Sequence, residues 1–258
     1  MSLDGFEEDP VWNEFQWESH LNEIEKRSEQ LRRFITSDPK GNTPRWITLL
    51  QESLDELDAV EAFIEEELLL DEAYFPEDED DWEDDEDEFD DDDFFFEDSS
   101  APFMAEDEED DDFDYGEEWK ELSEDFTFSD YGSLENLDVY REARNFAVDI
   151  LKWAEAIPDH LQTKQVHEFI ISILKISAKL AGGYSFGFEQ DVLGGNIAYT
   201  KKALYNANDA LAYLQKMKRE PFIVDSIYSK FHSRLFEIRN DIGIYVQELR
   251  DHFQYGLE

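Results

Sequence analysis

The chain has 258 residues, room for one large domain or two smaller units, and its 41% hydrophobic content is enough for a core, which excludes wholesale disorder. A formal charge of −46 is extreme for that length. The absence of cysteine excludes a disulfide framework, thiolate metal sites and a cysteine nucleophile, and it fits a reducing compartment.

The first residues, Met1-Ser2-Leu3-Asp4-Gly5-Phe6-Glu7-Glu8, have neither the basic nor the apolar region of a secretory leader. No stretch approaches the roughly 18 uncharged apolar residues that a membrane helix needs. The expectation is a cytoplasmic protein without membrane association. The charge is strongly partitioned. Residues 1–132 hold 7 Lys and Arg against 51 Asp and Glu, a net of −44, whereas residues 133–258 hold 15 against 17, a net of −2. Adaptation to high salt would acidify every exposed surface, so the asymmetry points to a local task for the acidic half.

Three zones follow in chain order. In the first, residues 1–70, Trp17, Leu21, Ile24, Ser28, Leu31 and Ile35 recur at helical spacing and form one stripe. Ser37-Asp38-Pro39-Lys40-Gly41-Asn42 has turn chemistry. Thr43 stands where an N-cap belongs and Pro44 at the first helical position. Trp46, Leu50, Leu54, Leu57, Val60, Ile64 and Leu68 continue as a second stripe, so a helical hairpin is expected.

The second zone, residues 71–132, is a low-complexity acidic tract with a single basic residue, Lys120. Repulsion among its carboxylates favours an extended, mobile segment. Aromatic residues run through it: Trp82, Phe89, Phe94, Phe95, Phe96, Phe103, Phe113, Tyr115, Trp119, Phe126 and Phe128. Acidic–aromatic alternation suits a segment that docks rings while its carboxylates meet a basic partner. The plainer alternative is that these rings pack back on the protein's own helices. Within the tract Asp110, Asp112, Asp114 and Glu121 fall at positions 1, 3, 5 and 12 of a twelve-residue calcium loop. Position 6 is Tyr115, with Gly116 one residue late, and no apolar helix precedes the loop, so the match is a weak calcium candidate.

The third zone, residues 133–258, carries four stripes near a 3.5-residue period, the pattern of an antiparallel four-helix bundle. Leu137, Tyr140, Arg144, Ala147, Leu151 and Ala154 form the first, stopped at Ile157-Pro158. Val166, Phe169, Ile170, Ile173, Leu174, Ser177, Leu180 and Ala181 form the second, with Gly182-Gly183 as the expected left-handed stop and a flexible connection from there to Gly195. Lys175 and Lys179 fall off that stripe and are expected at the surface. Leu193, Ile197, Thr200, Leu204, Ala207, Leu211 and Leu214 form the third, and Ile227, Phe231, Ile238, Ile242, Tyr245, Leu249 and Phe253 the fourth. Strand-type alternation is absent, so the expected class is all-α.

Tyr140-Arg141-Glu142-Ala143 early in the first of these helices, the Ile157-Pro158 break, and Ala178-Lys179-Leu180-Ala181-Gly182-Gly183-Tyr184 closing the second resemble the four-helix-bundle family encoded within bacterial rRNA intervening sequences. Ile197-Ala198, Ala203-Leu204 and Ala210-Leu211 agree in style, and the accessory protein of diversity-generating retroelements shares the fold. The resemblance covers about residues 134–253. It implies a non-catalytic bundle with a tendency to oligomerise, in some members with RNA. Those RNA-associated members are basic, whereas this zone is near neutral and joined to −44, so direct nucleic-acid binding is not expected here.

Catalytic signals are lacking. None of His20, His160, His167, His232 or His252 follows a glutamate by three residues, the pairing a di-iron bundle needs. Gly182, Gly183, Gly187, Gly194 and Gly195 carry no phosphate-loop pattern. Tyr184, Phe186 and Phe188 among them suit either core or contact roles. The expected function is a non-catalytic adaptor or scaffold, needing no cofactor, that self-associates or docks a partner through its bundle and binds a basic protein through Trp82, Phe89, Phe94, Phe95, Phe96, Phe103, Phe113 and Trp119. Its alternatives are a nucleic-acid mimic occupying a DNA- or RNA-binding groove and, more remotely, a metal-dependent enzyme on a carboxylate-lined bundle.

Overall fold

The computed structural model of the protein describes residues 11–35, 43–72 and 132–256. The acidic tract lies outside them almost whole. With it lie all eight expected partner-binding aromatics and the calcium candidate Asp110, Asp112, Asp114 and Glu121. Apart from an isolated bridge at Gly132, the described residues form only helices and turns, so the chain is all-α there. The helices are α1 (Glu14–Ile35), α2 (Arg45–Glu52), α3 (Glu56–Glu72), α4 (Asp138–Glu155), α5 (Lys164–Ser185), α6 (Leu193–Met217) and α7 (Asp225–Tyr255). No described helix is long and apolar enough to cross a membrane.

Local chemistry sets where several of these helices begin. At α1 the Asn13 side chain accepts from the backbone N–H of Phe15 and Gln16, at 3.0 and 3.1 Å, and Gln16 Oε1 accepts in return from the Asn13 N–H. Such reciprocal capping satisfies N–H groups that have no partner inside the helix. The second expected stripe is broken in two by the same device. Asp55 accepts from the N–H of Leu57 and Asp58, and Asp58 accepts from the N–H of Leu54, which starts α3 afresh after an extended Ser53. Leu54, read as part of the stripe, is therefore 97% exposed in the turn between α2 and α3.

The second stripe of the C-terminal zone stays helical through Gly182-Gly183 and ends at Ser185. Neither glycine has a positive φ; Gly187, at +89°, takes the left-handed turn instead. The correction has a steric cause. A Cβ at Gly183 would lie 3.0 Å from Thr200 Oγ1 and 3.2 Å from the Asn196 carbonyl oxygen, and one at Gly182 would lie 3.1 Å from the Tyr199 ring. These glycines let α5 and α6 approach closely, and only a short connection separates the two helices. Tyr184 and Phe188 are buried packing residues there, and the Tyr184 hydroxyl donates to the Gly132 carbonyl at 2.8 Å.

α5 lies at the centre of the packing. It contacts α4, α6 and α3; α6 and α4 both contact α7; and α1 lies mainly on α6. One apolar core runs without interruption from Trp46, Leu49, Val60, Phe63 and Ile64 of the N-terminal helices into α4–α7. Lys179 departs from the surface position its register predicts: it is 2% exposed, with its Nζ 3.8 Å from the equally buried Glu67 of α3 and 5.3 Å from the centre of the Tyr199 ring. α3 covers the α5 face that the four stripes alone leave open to water.

These placements separate two leucine-type positions that the sequence pattern treats alike. Ile173, fully buried at the centre of α5, should lose about 2–5 kcal/mol on Ile173→Ala. Leu54→Ala should stay within about 0.5 kcal/mol. Chemical denaturation of the two variants measures both.

Candidate functional site: a cationic face beneath an acidic helix

α6 places Lys201 and Lys202 side by side in mid-helix, where small and aromatic neighbours leave their ammonium groups under α1. Their side chains retain only 9% and 7% exposure. Arg250, near the end of α7, and Lys179 of α5 extend the same face. α1 answers with carboxylates at Glu14, Glu18 and Glu25, spaced so that they share one side of the helix with Trp17, Leu21 and Ile24.

The contacts are specific. Arg250 donates from Nε and Nη2 to the two Glu14 oxygens at 2.8 and 2.7 Å, a fork that fixes both partners in one plane. Lys201 donates to Glu18 at 2.6 Å and lies 3.5 Å from Glu14, while the Tyr205 hydroxyl donates to Glu18 at 3.2 Å. Lys202 donates to Glu25 at 2.6 Å and to the Asn22 side-chain oxygen at 2.8 Å. Between the charged rows a small apolar cluster of Leu21, Ile24, Ala198 and Tyr199 is flanked by Trp17 and Phe186, distinct from the main core. Trp12, Trp17, Phe186 and Tyr199 form a chain of ring contacts with centres 5.2 Å apart at each step. The fit is tight at Gly194, where a Cβ would come within 2.6 Å of the Trp12 carbonyl oxygen and 2.8 Å of the Trp17 ring.

The surroundings tune the ionisation. The hydrogen bond from Arg250 holds Glu14 below the ordinary glutamate value, against some desolvation, and the charge of Lys201 adds to it. Burial pushes Glu25 upward, but Lys202, Lys179 and Lys175 together outweigh it and leave the group lowered. Arg250 is raised by its bond to Glu14. On α3 the balance is reversed: desolvation raises Glu61 and Glu65.

Elsewhere a shallow cavity of about 480 Å³ opens beside Lys218, Tyr228, His232 and Phe236, whose three rings stack along α7. Among the described residues no group of three or more His, Asp or Glu side chains is arranged to hold a metal ion. Of the histidines, His20 packs against Trp12 and Trp17, and His167 sits beside Trp46 with its pKa lowered by burial. Comparison of the chain with protein-family models, with curated proteins and with solved structures finds no match.

The stripe of Trp17, Leu21 and Ile24 was legible in the sequence, but Glu14, Glu18, Glu25, Lys201, Lys202 and Arg250 were not singled out by its patterns. One signal was present: a Lys-Lys pair inside a helix whose other residues from Gly194 to Ala203 are small, apolar or aromatic.

Acid should loosen α1 before the core. Glu14 and Glu25 have docked-state values below 4.5, so the docked form binds fewer protons than the released one. Docking is then at full strength above about pH 4.5 and is lost as pH falls through the lowered values. Methyl NMR signals of Leu21 and Ile24 should shift toward exposed positions in that window while those of Ile173 stay in place.

Proposed function

We propose that the chain is a non-catalytic cytoplasmic adaptor or scaffold. Residues 133–258 form an antiparallel four-helix bundle that self-associates or docks a partner, residues 1–70 form a helical hairpin against it, and the acidic aromatic-rich segment between them binds a basic protein. The bundle reading is supported by the closed set of contacts from α4 to α5, α5 to α6, α6 to α7 and α7 to α4. The hairpin reading is supported by the contact that α1 makes with α3.

The observation that carries the functional reading is how α1 is held. Carboxylates at Glu14, Glu18 and Glu25 grip Lys201, Lys202 and Arg250, while Trp17, Leu21 and Ile24 press on Tyr199 and Phe186 between them. The chain thus already uses acidic residues interleaved with rings to recognise a cationic helical surface. Residues 71–132 repeat that composition over a longer stretch, with Phe94, Phe95 and Phe96 as its densest run of rings and Trp119 further on. Lys- and Arg-rich protein surfaces are the natural target. No cofactor is required, and the like charge of the segment disfavours phosphate backbones.

The test begins with a pull-down using the full chain and a form lacking residues 71–132, followed by titration of the captured basic protein at low and high salt. Exposed charges are screened over about 8–10 Å near physiological ionic strength, whereas apolar burial is not screened. Binding should weaken with salt yet keep a salt-resistant part, and changing Phe94, Phe95, Phe96 and Trp119 to Ser should remove that part. Equal capture with and without the segment, or superimposable salt curves for native and Ser-substituted proteins, would overturn the reading.

A further inference from the structure

We propose that the α6 face beneath α1 is an interaction surface for the α1 helix of a second copy, so that two copies associate by exchanging α1 reciprocally. The proposal builds on the self-association reading above and names the surface that would carry it. Nothing in the contact requires both sides to belong to one molecule. The groups that Glu14, Glu18, Asn22 and Glu25 meet lie 177 to 236 residues further along the chain.

Three features favour exchange of this helix over any other. First, the apolar seal under α1 is separate from the main core, so α1 can leave without opening α4–α7. The helix is in the position of a low-stability unit that opens on its own. Second, charge complementarity is local. Two chains of −46 repel one another over most of their surface, and the cluster of Lys179, Lys201, Lys202 and Arg250 is a place where an acidic helix is attracted instead. Third, an uncovered face exposes the apolar cluster of Leu21, Ile24, Ala198 and Tyr199 and gives up the ion pairs of Lys201, Lys202 and Arg250, which favours covering it again with one α1 or another. Reciprocal exchange satisfies both faces and closes the assembly at two copies, as an isologous dimer does. Intramolecular docking competes at an effective concentration of about millimolar, so exchange should grow with protein concentration.

The 2.6 Å contact between Glu18 and Lys201 permits a test without any substitution. Full-length chains grown in natural-abundance and in nitrogen-15 medium are unfolded, mixed, refolded together at a series of concentrations, and treated with a carbodiimide, which joins a carboxylate to an amine that touches it. Peptides linking Glu18 to Lys201 are then weighed. Exchange predicts linked peptides with one light and one heavy half, in a share that rises with concentration, together with a dimer by light scattering. Linked peptides of a single label at every concentration would overturn the proposal. That result accompanied by oligomers would leave self-association standing through another surface, and accompanied by monomers alone would remove both.

Discussion

An ammonium group moved from water into a helix interface costs several kcal/mol unless a carboxylate meets it, and among the described residues three lysines are so placed. Lys179 of α5 is met by Glu67 of α3, Lys201 of α6 by Glu14 and Glu18, and Lys202 by Glu25. Each pair joins a C-terminal helix to an N-terminal one. The near-neutral half of the chain therefore contains desolvated cations whose partners lie in the acidic half, and the arrangement of α1 and α3 follows from that need. Arg144, paired with Glu135 and Glu61, and Arg45, paired with Glu66, extend the same ionic stitching around α3.

Close approach of α5 and α6 is the steric side of the same constraint. With Gly182 and Gly183 facing Asn196, Tyr199 and Thr200, the two backbones come near enough that little room remains at their shared edge. Near that seam Lys179 reaches Glu67 of α3, and Lys201 and Lys202 reach Glu18 and Glu25 of α1. Gly194 repeats the device one layer out, where the backbone of Trp12 and Asn13, just before α1, presses on α6. Adding a methyl at either place would separate the surfaces that align the ion pairs.

Helix class and most core faces were legible from periodicity alone, because Phe169, Ile170, Ile173 and Leu174, or Ile238, Ile242 and Leu249, leave one face for the core and bury as their spacing requires. Four features were not. Gly182-Gly183 has the same sequence signature whether glycine ends a helix or lets another helix approach, and only the facing residues decide. Leu54 keeps the helical register, yet Asp55 and Asp58 compete for the backbone and win. Lys179 looks like a surface residue by its register, because the stripe describes one face of α5 while α3 covers another. The cationic face was missed for the same reason: its partners are far away in sequence, and a pattern read along one helix carries no information about them.

The dependence of the core on paired charge is tested most directly by a double-mutant cycle at Lys179 and Glu67, using Lys179→Met and Glu67→Leu with stability read by chemical denaturation. Each single change removes this ion pair from the remaining buried charge and should cost about 3–5 kcal/mol. The double variant should recover part of that loss, with a coupling of about 1–3 kcal/mol. Losses that simply add would contradict the account, since each group would then be held by contacts that owe nothing to the other.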